Sequence, residues 1–195
     1  MGFLSYFTRR RSPKVFGIGT IKTGTTSLGK ALEIMGFNHS NSDREYLLRC
    51  LGNSNLKPIF KYADRYDSFE DWPWPMLYKE MEQHYPNSRF ILTLRSDEQV
   101  WLQSVVKHAK WVGPTYGRAL FFDYSTPLGH EQAYLDAYRR HVEEVREYFA
   151  QRPGKLLEIC WEKGHGWHEL CAFLEQPVPD TPFPVLNTAT TRIWK

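Results

Sequence analysis

Between Gly19 and Gly24 the chain reads Gly-Thr-Ile-Lys-Thr-Gly, and Thr25, Thr26 and Ser27 follow directly. Glycines at this spacing, with hydroxyl residues after them, let backbone N–H groups and a helix start converge on an anion, usually a phosphate. A Walker loop, G-x-x-x-x-G-K-[ST], places its lysine after the second glycine. Here that position is Thr25, and the lysine lies inside the loop as Lys22. From there it meets the anion on another side, which suits a bridging oxygen that gains negative charge as a group departs. Arg95 is a second candidate: taken alone an Arg after a strand reads as structural, but its planar fork can donate two hydrogen bonds to phosphate oxygens. Ser104 and His108 follow it in sequence. The stretch Asp64 to Pro75, DRYDSFEDWPWP, supplies Asp67, Glu70 and Asp71 as candidate proton acceptors, with Asp71 placed ahead of Asp67.

These residues need scaffolding. Val15 to Ile18 is a short apolar run of buried-strand type, and Leu28, Ala31, Leu32 and Met35 recur at helical spacing up to Gly36. The loop therefore joins a strand to a helix. Arg89 to Leu94 reads as another strand, running into Arg95, and Ser96 to Gln99 has capping-box spacing for a helix to about Lys110. That helix turns Val100, Trp101 and Val105 inward and reads His108 as a surface residue, with the site as the alternative. Two strand–turn–helix units in this order predict an α/β chain, a three-layer P-loop-like fold with a central, mostly parallel sheet flanked by helices. Arg95 then stands at the carboxyl edge of that sheet, where such folds bind ligands.

The remaining elements read more thinly. Ser42 to Glu45 has capping-box spacing for a helix over 43–51, and Pro58 to Tyr62 reads as a short edge strand. Pro75 fits the first turn of a helix from Met76 to about Tyr85. Trp111 to Gly129 has no periodicity and reads as a long aromatic loop, a lid or substrate wall. A helix from Glu131 to Gln151, a strand from Leu156 to Cys160 and a helix from Trp167 to Leu174 complete the chain, before a proline-rich extended tail to Asn187.

Composition bounds the class. With 195 residues, 42% hydrophobic and 24% charged, the chain reads as one globular domain burying about 70% of its extended surface. Residues 1–13 read as a basic tail and 14–195 as a single domain. Arg9, Arg10, Arg11 and Lys14 outweigh the whole net charge of +3, leaving the rest close to neutral, so a nucleic-acid partner is not expected. Cys50, Cys160 and Cys171 have neither the number nor the spacing of a disulfide framework or a zinc site. No apolar run spans a membrane, Met1 to Tyr6 makes a poor signal peptide, and Tyr6 spoils a myristoylation signal, so a cytoplasmic location is expected.

Lys22-Thr23-Gly24-Thr25-Thr26-Ser27 resembles the 5′-phosphosulfate loop of the sulfotransferases that use 3′-phosphoadenylyl sulfate (PAPS). Arg95 with Ser104 resembles their second signature, a strand-ending Arg and a helical Ser that hold the 3′-phosphate. Here the two lie one residue further apart than in the family. Tyr66 to Pro73, Gly164 to Cys171 and Pro182 to Asn187 are similar to one subgroup, except that Val185 stands where that subgroup often has a histidine. The resemblance implies sulfuryl transfer to a hydroxyl or amine of a small-molecule or carbohydrate acceptor, without a metal. It also implies that Lys22 faces the leaving oxygen and that the product adenosine 3′,5′-bisphosphate is bound by Thr23, Gly24, Thr25, Thr26, Ser27, Arg95 and Ser104. It names no base, for which Asp71 and Asp67 are the candidates. Two other classes stay open. One is a P-loop kinase or nucleotide hydrolase using ATP–Mg²⁺, against which stand the displaced Lys22 and the lack of an obvious strand ending in a metal-binding Asp. The other is a nucleotide-binding module without turnover. Neither the acceptor nor the oligomeric state is legible.

Overall fold

A computed structural model describes residues 13–40 and 43–186. The basic residues Arg9 to Arg11, Ser42 and Asn187 lie outside the described residues. Four parallel strands form one sheet in the order β2–β1–β3–β4, with β1 at Val15–Gly17, β2 at Ser68–Phe69, β3 at Arg89–Thr93 and β4 at Leu156–Ile159. Eight α-helices flank it among the described residues: α1 Thr25–Ile34, α2 Arg44–Gly52, α3 Lys57–Ala63, α4 Tyr78–His84, α5 Glu98–Val112, α6 Tyr116–Phe122, α7 Glu131–Phe149 and α8 Trp167–Leu174.

Alternation along the strands builds the three layers, because successive side chains leave opposite faces of a sheet. Val15, Ile91 and Ile159 pack on one face against Leu28, Ala31 and Leu32 of α1 and Leu170 and Leu174 of α8. Phe16, Phe69, Phe90 and Leu92 face the larger core of the other side, with Trp101 of α5 and Tyr134, Val145 and Phe149 of α7. Phe16 stacks on Phe69 with ring centroids 4.6 Å apart. Gly17 lies beside Ile91, so β1 and β3 leave the sheet side by side, with β2 and β4 outside them. The chain order reverses at β1, and both anion-directed turns open at that point.

Several expectations need correction. Pro58 does not begin a strand: Lys57–Ala63 is α3, whose first turn tolerates proline, and Ile59, Tyr62 and Ala63 are its buried face. The β-favouring residue types obscured a spacing that is helical. Pro75 belongs to a 3₁₀ turn, Trp74–Met76, and α4 starts only at Tyr78. The stretch read as a continuous aromatic loop contains α6, capped by Thr115 and too short at seven residues to show a period. Asp67 to Pro75 hides β2, a two-residue strand beside β1. A strand ending in acids therefore does adjoin the glycine loop, since Glu70 and Asp71 follow Phe69. The cap of α5 is Asp97, which accepts from Gln99 N and Val100 N at 2.8 and 3.1 Å, and Ser96 is left for another task. Lys14 donates to Ala63 O at 2.8 Å and to Tyr66 O at 2.5 Å. All three cysteines are reduced and buried.

Candidate active site

A cavity of about 920 Å³ opens over the carboxyl ends of β1 and β3. Its wall includes every loop residue from Ile21 to Ser27, together with Asp71, Arg95, Ser104 and His108. The loop owes its shape first to its glycines. A Cβ at Gly19 would lie 2.0 Å from Thr93 Oγ1, and Gly24 has φ +92° with Trp161 Cδ1 2.4 Å from where its Cβ would stand. Lys22 is also left-handed, at φ 66°. Left-handed residues among right-handed ones make a nest that turns successive N–H groups to one side.

Side chains from elsewhere then fix the carbonyls. His141 of α7 binds Ile18 O at 2.8 Å, and Trp101 of α5 donates Nε1–H to Ile21 O at 2.8 Å. Arg95 Nη1 reaches Lys22 O at 3.3 Å, and Trp161 Nε1 reaches Gly24 O at 3.1 Å. Thr23 adds an internal tie, donating to Thr20 O at 2.6 Å, with its hydroxyl also 2.6 Å from Thr93 Oγ1. With the carbonyls occupied, the N–H groups of Thr23, Gly24, Thr25 and Thr26 have no backbone acceptor among the described residues. Those groups, at the start of α1, are the donors with which the loop can receive an anion. Because a carbonyl only accepts, His141 carries its proton on Nε2. Burial pushes its pKa below the ordinary histidine value.

Arg95 lies where the sequence expects it, but in closer company. Glu162 accepts from its Nη2, and the same carboxylate accepts from Ser96 N at 2.8 Å and Ser96 Oγ at 2.7 Å. Those donors and the guanidinium pull Glu162 below the usual carboxylate range, against the opposing effect of its burial. Arg95 Nε is enclosed without a partner. Ser104 reaches the cavity wall despite its extra residue of spacing, because α5 starts at Glu98 and carries Ser104 and His108 one turn apart on the same face. Ser27 is on the wall as well, and its Oγ accepts from Leu186 N at 2.9 Å, which draws the extended C-terminal segment onto the loop.

The acids separate. Asp71 is on the cavity wall, where its Oδ2 accepts from Arg44 at 3.0 Å and its Oδ1 is enclosed without a partner. Asp67 lies at the amino end of β2, its carbonyl bonded to Val15 N, and is not brought to the cavity. Glu70 lies behind Asp71, in a hollow of about 690 Å³ that shares Arg44, Asp71 and Trp72 with the cavity. Gly17 and Gly29 leave room for its stem: a Cβ on either would come within 3.2 Å of it. It therefore lies flat along α1 and receives the Thr25 hydroxyl. Burial, and then the neighbouring Asp71, push Glu70 up to about 7, although Thr25 and Arg44 oppose the shift. Oε2 of Glu70 has no hydrogen-bond partner.

His108 is not a surface residue: its Nδ1 accepts from Arg118 Nη2 at 2.8 Å at the cavity wall. Arg118, Trp161, Glu162, His141 and Trp101 all act here, and sequence patterns gave no role in this site to any of them. Trp101 was legible only as an inward residue, and nothing marked the others as meeting the loop. The described residues contain no group of three or more His, Cys, Asp or Glu arranged to hold a metal ion. None of their helices is long and apolar enough to cross a membrane.

The sulfotransferase domain family matches the chain over residues 14–126 and 112–192. A similar protein is Ava biosynthesis cluster protein M of Aspergillus versicolor, 27% identical over 222 residues, covering 90% of this chain and 81% of that protein.

Proposed function

Since the chain belongs to the sulfotransferase domain family, we propose that it moves a sulfuryl group from PAPS to a hydroxyl or amine of a small-molecule or carbohydrate acceptor. The observation that carries this reading is the pairing, in one cavity, of the N–H cradle at Thr23–Thr26 with Arg95. The residues fit a nucleotide with two separate phosphates. The cradle suits the 5′-phosphate, and the unpartnered Arg95 Nε–H, with the Ser104 hydroxyl, suits the 3′-phosphate.

When bound, PAPS supplies an activated sulfuryl group with its leaving phosphate already attached. Lys22, on the cavity wall, would hold the leaving phosphate and neutralise the charge that builds on it. The loop N–H groups act without rearrangement, because His141, Trp101 and Trp161 already fix their carbonyls. Asp71 accepts the acceptor's proton through Oδ1, while Arg44 holds Oδ2 and sets the carboxylate's direction. Glu70, able to keep a proton near neutral pH, lowers the negative charge facing the donor from beneath α1. Trp72, Leu48 and Val112 line the part of the cavity left for the acceptor and exclude water from it.

The ATP–Mg²⁺ reading draws on one observation, the acidic end of β2 beside the loop. Calorimetry separates the two. Adenosine 3′,5′-bisphosphate should bind the wild type at micromolar concentration and bind Arg95→Ala about a hundredfold more weakly, the loss of charge-assisted hydrogen bonds to one phosphate. Binding of ATP–Mg²⁺ with no binding of adenosine 3′,5′-bisphosphate would overturn the proposal. Binding without sulfuryl transfer to any hydroxyl or amine would leave a binding module.

A further inference from the structure

Arg118 is 2% exposed and has no acid for a partner among the described residues. Its guanidinium donates to Gly113 O at 2.7 Å from Nη1 and to His108 Nδ1 at 2.8 Å from Nη2, and neither acceptor is a carboxylate. Among the described residues no carboxylate pairs with it, and the one charge effect on it comes from Tyr134. Burial pulls its pKa down from the ordinary arginine value, as expected when no anion offsets lost hydration. A buried charge is normally paired or bound to a ligand, since desolvating it alone is expensive. Arg118 is instead part of the wall of an open cavity.

The surrounding charges show the same imbalance. Five cations and three carboxylates face the cavity: Lys22, Arg44, Arg95, Lys107 and Arg118 against Glu45, Asp71 and Glu162. Arg44 pairs with Asp71 and Arg95 with Glu162. Lys22 serves the loop. Among the described residues, Lys107 and Arg118 remain, opposed by Glu45 alone. His108 stands one turn along α5 from Ser104, about 6 Å of rise, so Arg118 lies beyond the expected 3′-phosphate contact and on the acceptor side. Two of the five N–H groups of Arg118 are spent on Gly113 and His108, which fix the plane of the fork and leave the rest for a ligand.

We propose that Arg118, held by His108 and Gly113 and assisted by Lys107, is an oxyanion subsite, and that the natural acceptor carries a carboxylate or phosphate besides the group that is sulfated. The site's role as an acceptor pocket rests on the sulfotransferase reading, but anion binding there does not. The competing account makes Arg118 a clamp on the carboxyl end of α5, whose carbonyls partly offset its charge.

Two probes of equal size separate these accounts, 4-hydroxyphenylacetate and its neutral amide, titrated into the whole protein with and without adenosine 3′,5′-bisphosphate. In the wild type the carboxylate should bind about tenfold or more tighter than the amide, the effect of one charge-assisted hydrogen-bonded pair. Arg118→Gln should erase that preference, Arg118→Lys should keep part of it, and Lys107→Ala should reduce it a few-fold. Adenosine 3′,5′-bisphosphate should bind all the folded variants alike. Lys107 is exposed, so its variant carries the test if Arg118→Gln does not fold. Equal binding of the two probes, a preference that survives in Arg118→Gln, or no binding of the carboxylate at millimolar concentration would each overturn the subsite. Loss of adenosine 3′,5′-bisphosphate binding in the wild type, with the carboxylate preference intact, would instead defeat the sulfotransferase reading alone.

Discussion

At one end of the cavity the wall is backbone, Thr23 to Thr26, held by carbonyl anchors from α5, α7, the turn after β3 and the turn after β4. At the other end it is side chains, with Leu48 from α2, Trp72 after β2, His108 and Val112 from α5, and Arg118 from α6. The first end offers donors that every residue type carries, aimed by local glycine geometry. The second offers particular groups brought together over long sequence distances. On the proposed function, backbone recognition suits a constant donor, and side-chain recognition lets the acceptor differ without disturbing the loop. The two ends should therefore respond separately to substitution.

The largest separation is expected at Lys22. On the proposed mechanism Lys22→Ala removes the charge that offsets the departing phosphate, and it should lower kcat by about 10²- to 10³-fold. Acceptor binding, measured with adenosine 3′,5′-bisphosphate present, should change less than twofold. A large rise in acceptor KM with kcat unchanged would place Lys22 at the other end of the cavity and break the distinction.

This difference also explains what was legible in the sequence. The donor end announces itself because Gly19, Lys22, Gly24 and the hydroxyl residues are contiguous, and because Arg95 follows a clear apolar strand. The layers follow from the same periodicities. The acceptor end is assembled by tertiary packing, and α6 and β2 are too short to show a period. Glu70 and Asp71 are adjacent, but β2 sends them to different surroundings, and no local pattern foretells which is buried. Arg118 and His108 are ten residues apart and meet only because Gly113, at φ +77°, turns the chain after α5. The anchors of the loop were hidden for the same reason: a tryptophan that packs a core and one that also holds a carbonyl look alike in sequence.

Glu70 shows what the donor end costs in stability. Its folded pKa of about 7 exceeds the reference value of 4.5, because burial beside Asp71 disfavours its charge. Below about pH 4.5 the group is protonated in both the folded and unfolded states and costs nothing. As pH rises through the folded value the unfolded chain loses the proton more readily, so stability is lost across that window. Glu70→Gln should therefore be neutral near pH 4 and stabilising near pH 8, by at most about 3 kcal/mol. Urea melts at the two pH values measure the difference. Equal effects at both, or destabilisation at pH 8, would mean that Glu70 gives up its proton in the folded protein as readily as in the unfolded chain. The donor end would then carry that negative charge beneath the loop throughout the neutral range.

Trp101 should give the smallest effect and the sharpest discrimination. It is fully buried, its ring lies 4.3 Å from Tyr138, and its single polar atom is spent on Ile21 O. Trp101→Phe keeps an aromatic ring in the core but strands that carbonyl, at a cost of about 1–2 kcal/mol. Freed of its anchor, the Ile21 peptide can rotate and spoil the convergence of the neighbouring N–H groups. Adenosine 3′,5′-bisphosphate should then bind about five- to tenfold more weakly, although Trp101 does not line the cavity. The carboxylate-over-amide preference at Arg118 should stay as it is, because Arg118 is held by His108 and Gly113 and not by the residues that anchor the loop. If both ligands weakened together, Trp101 would be supporting the cavity as a whole through packing. If only the nucleotide weakened, the loop's aim would be set by that hydrogen bond, and the two ends would be independent parts of one site.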